Sequence, residues 1–214
     1  GIAAYAGNAL PEAALAFKKA RQNNYDNAQN YVYEIACWQY MAQNDSTKAD
    51  EAQKQIEDIA FDGYKKFGTS QMLFINNLVN SWMNENQTDK VLALLNDEIG
   101  KNPENGALYG LRGFVYDRNG KDEESVADYR KAASFADTDF ETLKNASKKI
   151  FRTGTTKWNA IEGAAPEARQ DVKVNYFEAA KAIADRAKSM NPDDSDVNYV
   201  LENINYALDT YFNK

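Results

Sequence analysis

Asp194, Asp196 and Asn198 stand at alternate positions in "DSDVN", the spacing with which a calcium-binding loop opens its ring of oxygen ligands. The ring cannot be completed. Its sixth position holds Tyr199 where such a loop needs glycine, and its twelfth holds Asn205 where a bidentate glutamate is required. Asp193, Asp194 and Ser195 suit instead the cap and first turn of a final helix, where oxygen acceptors and negative charge satisfy free N–H groups. A second run of carboxylates lies in "KDEESVADYRK" (121–131), and paired carboxylates can hydrolyse glycosidic bonds. Glu123 and Glu124 sit where a helix begins, however, and complement the positive end of its dipole.

The chain has no histidine and one cysteine, which removes the commonest general base, the main zinc ligand and any Cys–His pairing. Cys37, inside the apolar stretch "IACWQYM", reads as a small buried hydrophobe. No nucleophile elbow, phosphate loop or dinucleotide fingerprint is present, and "GLRGF" lacks both a preceding strand and the glycine spacing. The expectation is a non-enzyme with no catalytic residue, no metal and no cofactor.

The elements that would position any site are helices. With 214 residues, of which 43% are hydrophobic and 27% charged, the chain is long enough to bury a core without staples. A net charge of −7 and the lack of a basic run repel a phosphate backbone, so no nucleic-acid partner is expected. Apolar runs such as "MLFI" (72–75) fall far short of the ~20 residues that cross a bilayer. The opening "GIAAYAGN" is not an intact secretory signal, and one cysteine does not choose a compartment. Prolines at 11, 103, 166 and 192 each sit at the edge of a helical pattern, and no segment alternates strictly between apolar and polar residues. The expected class is all-α.

One internal period organises these helices. Within 106–139, Tyr109, Gly113, Tyr116, Gly120, Ser125, Tyr129 and Ala132 occupy the positions of an aromatic, small, aromatic, glycine, small, aromatic, alanine pattern that recurs every ~34 residues. The preceding 72–105 places Ile75, Leu78, Val79, Trp82, Val91 and Leu95 at matching sites and closes on Pro103. Ala180, Ala184, Ala187 and Pro192 repeat the second half, as do Ala13, Phe17 and Ala20. On these residues the chain resembles the tetratricopeptide-repeat family, with Arg112 departing from the expected leucine.

The resemblance implies one α-α superhelix, a solenoid of helical hairpins, over 1–214: a partial unit 1–26, an expanded unit 27–71, units 72–105 and 106–139, a unit 140–194 with an inserted hairpin, and a capping helix 195–214. In the expanded unit, helices are expected over 30–42 and 50–67 around a polar turn at 43–48. In the inserted segment 153–176, about ten extra residues on each helix would project roughly 15 Å and turn at 162–167, with Trp158 and Ile161 packed on Val172 and Tyr176. The family pattern puts Gly113 where the two helices of a hairpin touch; Gly120 suits a left-handed turn, and Gly110 either faces the inner groove or is merely tolerated.

What remains for function is surface. Asn76, Asn80 and Asn84 share one helix face, which in family register lines the groove, and their amides can both donate to and accept from an extended backbone. The next unit offers Gly110, Phe114, Asp117 and Arg118 on the equivalent face, and Trp158 stands on the insert. The lysines with which some family members clamp a C-terminal carboxylate are missing. Asn76, Asn80, Asn84, Phe114, Asp117, Arg118 and Trp158 are therefore the candidate partner-binding residues of a scaffold for a protein or peptide. The alternative is a carbohydrate or small-ligand module, since 13 Tyr and 3 Trp could stack on sugar rings; an exposed tryptophan pair beside Asn or Asp would favour it, and burial of all three of Trp38, Trp82 and Trp158 would end it. The Asn- and Tyr-rich composition resembles tetratricopeptide proteins exported by Gram-negative bacteria, which implies a periplasmic or outer-membrane setting, with the cytoplasm as the alternative.

Overall fold

The computed structural model describes residues 1–25, 27–161 and 165–212, and among these every regular element is helical. The chain divides into two compact units, Gly1–Val91 and Leu92–Lys214. The first holds α1 (Ile2–Ala6), α2 (Leu10–Gln22), α3 (Ala28–Asn44), α4 (Ala49–Phe67) and α5 (Met72–Asn84). The division falls inside α6 (Thr88–Lys101). The second unit continues with α7 (Gly106–Arg118), α8 (Asp122–Ala133), α9 (Phe140–Ala160), α10 (Pro166–Val172), α11 (Ala179–Met190) and α12 (Ser195–Phe212).

Local chemistry sets the helix ends. Pro11 opens α2, where a missing N–H is harmless. Asn27, Asn105 and Asp139 accept from backbone N–H groups at the starts of α3, α7 and α9. Asp194 caps α12 by accepting from Val197 N at 2.9 Å, so the aspartates that imitate a calcium loop are a helix cap. Glu123 and Glu124 lie in the first turn of α8, as expected. Gly120 turns the chain at φ +70°, a conformation a Cβ resists.

In the first unit each helix packs on the one that follows it. The core is built from Phe17, Ile35, Ile59, Phe74, Ile75 and Leu78. Arg21 crosses it: Nε and Nη2 donate to the two oxygens of Glu34 on α3 at 3.0 and 3.1 Å, while Nη1 reaches Asp62 on α4. Burial raises the Glu34 carboxyl above its ordinary range, against the pull of Arg21. Cys37 is fully buried, and burial pushes its thiol up to about 11, as a core residue rather than a nucleophile.

In the second unit α7 packs on α8, α8 on α9, α9 on α11 and α11 on α12, and the alternate helices α7, α9 and α12 also touch in sequence. The core includes Leu108, Val115, Tyr129, Leu143, Ile150 and Phe177. A Cβ at Gly113 would lie 3.2 Å from the Tyr129 ring, and the Gly113 carbonyl accepts from Ser125 Oγ at 2.8 Å. Close approach of α7 and α8 is therefore what offsets the poor helix propensity of this glycine. Gly110 behaves otherwise than expected: it is buried, and a Cβ there would meet Thr142 of α9 at 2.6 Å. It is a packing site for the following hairpin and does not widen a groove. Arg112, in place of leucine, forks onto Asp128 of α8 at 2.7 and 2.8 Å and donates to Asn96 at 2.6 Å.

The inserted segment lengthens α9, and the chain then runs as one helix from Pro166 to Met190 through a π-helical turn at 173–178. Residues 162–164 of the turn expected at 162–167 lie outside the described residues. Val172 and Tyr176 are buried, as expected, but the main partner of Trp158 is different. Its ring lies parallel to Tyr211 at 5.1 Å and meets Phe212 edge-on at 4.6 Å, with Phe177 against both. The end of α12 covers apolar surface that the two inserted strands of helix would otherwise leave in water.

Candidate functional site

Asn80 and Asn84 line a cleft in the first unit, and Phe114 and Asp117 line another in the second. In the first unit an open cleft of about 360 Å³ lies among α3, α4 and α5. Asn80 and Asn84 line it; Asn76 is exposed but not part of the lining. They are joined by Asn77 and by Gln39, Gln43 and Gln53, which the four-residue period of α5 alone does not reveal. Gln39 and Gln43 are themselves one turn apart on α3, so the signal was a second amide pair on another helix. Ala42, Ala49, Ala52 and Ile56 complete its apolar lining. Ser81, at its edge, is already engaged, donating to Glu57 at 2.7 Å.

In the second unit a cleft of about 600 Å³ lies among α7, α9 and α12. Phe114 and Asp117 of α7 line it together with Phe151, Tyr129 and the exposed Tyr199, while Arg118 remains outside, its guanidinium 6.0 Å from the Phe114 ring. The α9 face supplies Asn145, Lys148, Lys149 and Arg152 at helical spacing. Lys149 is buried, its ammonium held by Asp117 at 2.7 Å and by Asp122. Arg152, whose side chain is 65% exposed, touches Asp117 through one nitrogen and keeps its other donors toward solvent. Lys148 pairs with Asp196 at 2.9 Å with both side chains about half exposed, so water screens the pair and it is easily exchanged. The hydrogen bond from Lys148 lowers the Asp196 carboxyl. Burial and then Asp117 raise the Tyr129 phenol, which stays neutral.

The arrangement offers aromatic walls, one fixed ion cluster and exchangeable charges of both signs. It offers no nucleophile with a base beside it. Among the described residues no group of three His, Cys, Asp or Glu is placed to hold a metal ion, and no helix is long and apolar enough to cross a membrane. Trp158 is part of neither lining; half-buried against α12, it borders a separate cleft of about 410 Å³ with Asn159, Ile161 and Arg169, whose guanidinium lies 5.7 Å from its ring. Trp82 is buried and Trp38 half-buried, so no exposed tryptophan pair is available as a platform for sugar rings. Comparison with known proteins adds no assignment: no family model matches the sequence, and no curated protein matches it.

Proposed function

We propose that the chain is a non-catalytic interaction scaffold of tetratricopeptide type, which holds a segment of a partner protein in the cleft of the second unit. The observation that carries this reading is the lining of that cleft: the exposed Tyr199 and the outer edges of Phe114 and Phe151, which are partly buried against the core, stand beside Lys148, Arg152 and Asp196. Aromatic side chains supply contact area, and exposed charges that can change partner supply register. The touching series α7, α9, α12 supports a regular stack of hairpins with its first helices on one side, as the repeat pattern implies. A periplasmic or outer-membrane setting is part of the proposal and rests on composition alone.

The test is panning of a displayed random-peptide library on the whole protein and on the Lys148→Glu/Arg152→Glu variant. Wild-type protein should enrich a family of related sequences that the variant no longer retains. Failure of the wild type to enrich any sequence above background, with circular dichroism showing a folded helical protein, overturns the reading.

A further inference from the structure

We infer that Asn119 is a modification site, where the folded protein loses its side-chain amide by hydrolysis, and that packing protects Asn105 from the same reaction. The chain holds two Asn–Gly pairs, Asn105–Gly106 and Asn119–Gly120. Glycine has no side chain to shield its backbone nitrogen, which can attack the side-chain carbonyl carbon of the asparagine before it. The new N–Cγ bond closes a succinimide ring, the Cγ–Nδ2 bond breaks, and the glycine N–H proton leaves with the amide as ammonia. Water then opens the ring. Attack at Cγ gives aspartate; attack at the main-chain carbonyl gives isoaspartate, in which the chain runs on through Cβ and Cγ.

The two pairs share a chemistry and differ in surroundings. Asn119 and Gly120 are exposed in the turn between α7 and α8, and a Cβ added to Gly120 would find no atom within 4 Å. Cyclisation has to rotate the backbone at Asn119 and release local bonds, among them Asn119 Nδ2 to Val115 O at 2.7 Å and Gly120 N to Asp117 O at 3.1 Å. These lie at the end of α7, where a helix frays at little cost. Asn105 is tied on both sides. Its Oδ1 caps α7 by accepting from Ala107 N at 3.1 Å, and Gly106 is buried, with Thr138 Oγ1 2.7 Å and the Ala132 carbonyl oxygen 3.3 Å from the place of a Cβ. Cyclisation there removes the helix cap and has to lift the start of α7 off the end of α8. The product at residue 119 has consequences: a carboxylate at the C-terminal end of α7 opposes the helix dipole, and isoaspartate adds a backbone atom inside the turn that Lys121 N closes on Tyr116 O at 2.9 Å. Asp117, which holds Lys149 and Arg152 at the second-unit cleft, stands in the same last turn.

The test incubates the whole folded protein in mildly alkaline buffer, where more of the glycine nitrogen is deprotonated. Mass spectrometry follows cleavage by a protease that cuts before aspartate, which separates fragment 97–116 from fragment 117–121. Fragment 117–121 should gain the mass of an amide turned into an acid, as isoaspartate, which the protease does not cut. It should do so about tenfold or more faster than 97–116, the ratio that ~1.4 kcal/mol of extra opening cost produces. In urea the two sites should react at similar rates, because only packing separates them. Asn119→Gln should abolish the change in 117–121, since the longer side chain closes a larger ring more slowly. Asn119→Asp, which supplies the charge without the extra backbone atom, should lower the thermal midpoint less than isoaspartate does. Equal rates at Asn105 and Asn119 in the folded protein overturn the inference, as does an Asn119 amide that survives the incubation.

Discussion

Arg21 in the first unit and Arg112 in the second each fork onto a carboxylate of the next helix and reach a third helix with the remaining nitrogen. They differ in depth. Arg21 and Glu34 keep 11% and 0% of their side-chain surface, whereas Arg112 and Asp128 keep 20% and 9%. In the deeper clasp burial is the leading influence on both partners, and the carboxyl of Glu34 is raised although a guanidinium is bonded to it. In the shallower one the hydrogen bond from Arg112 to Asp128 leads, and both guanidinium groups end up stabilised in their charged form. The difference between the clasps therefore lies with the carboxylate: at Glu34 desolvation outweighs pairing. The deep clasp works against solvation and depends on both members being present; the shallow one tolerates loss better.

Substitutions can break that comparison. Arg21→Ala leaves Glu34 charged and unpaired in the core and should destabilise the first unit by about 3–5 kcal/mol, read as a lower urea midpoint of Trp38 and Trp82 fluorescence. Arg21→Met with Glu34→Leu should recover most of the loss, since both ends of the buried pair go together. Arg112→Leu, which restores the residue of the repeat pattern, should cost the second unit about 1.5–3 kcal/mol, read on Trp158 fluorescence. Equal losses from Arg21→Ala and Arg112→Leu would mean that depth is not what separates the clasps.

Gly154→Ala sharpens the comparison from the packing side. A Cβ there would come within 2.5 Å of Tyr176 Cβ, an atom that cannot move without its backbone, so thermal unfolding of the second unit should show a loss of about 1–3 kcal/mol. The smallest effect concerns the exposed pair Lys148–Asp196. Its carboxyl is held below the ordinary value of 3.8, so its contribution is complete above that value and disappears as the pH falls through the depressed one. Carbon-13 titration of Asp196 should give a higher pKa in Lys148→Met than in the wild type, with little change in stability.

Helix positions were legible in the sequence because their signals are local. The helices expected at 30–42 and 50–67 appear as 28–44 and 49–67, Asp194 and Gly120 do what their neighbours in sequence imply, and Gly113 sits at the α7–α8 contact, as the repeat resemblance implies. Asn80 and Asn84 were visible as a face because a helix repeats every few residues. Gln39, Gln43 and Gln53 were not, because only docking of α3 and α4 beside α5 brings them to the same cleft. The burial of Gly110 and the rings of α12 that stack on Trp158 were hidden for the same reason. The residues responsible, Thr142, Tyr211 and Phe212, lie far along the chain, and no periodicity announces which distant residue fills a gap.

Arg186 of α11 donates to the carbonyls of Ala133, Phe135 and Ala136 at 2.8, 2.8 and 2.7 Å, finishing the end of α8 with a side chain from about 50 residues later. During synthesis that end emerges long before the guanidinium that completes it. A chain arrested before residue 186 would present the carbonyls of Ala133, Phe135 and Ala136 to water.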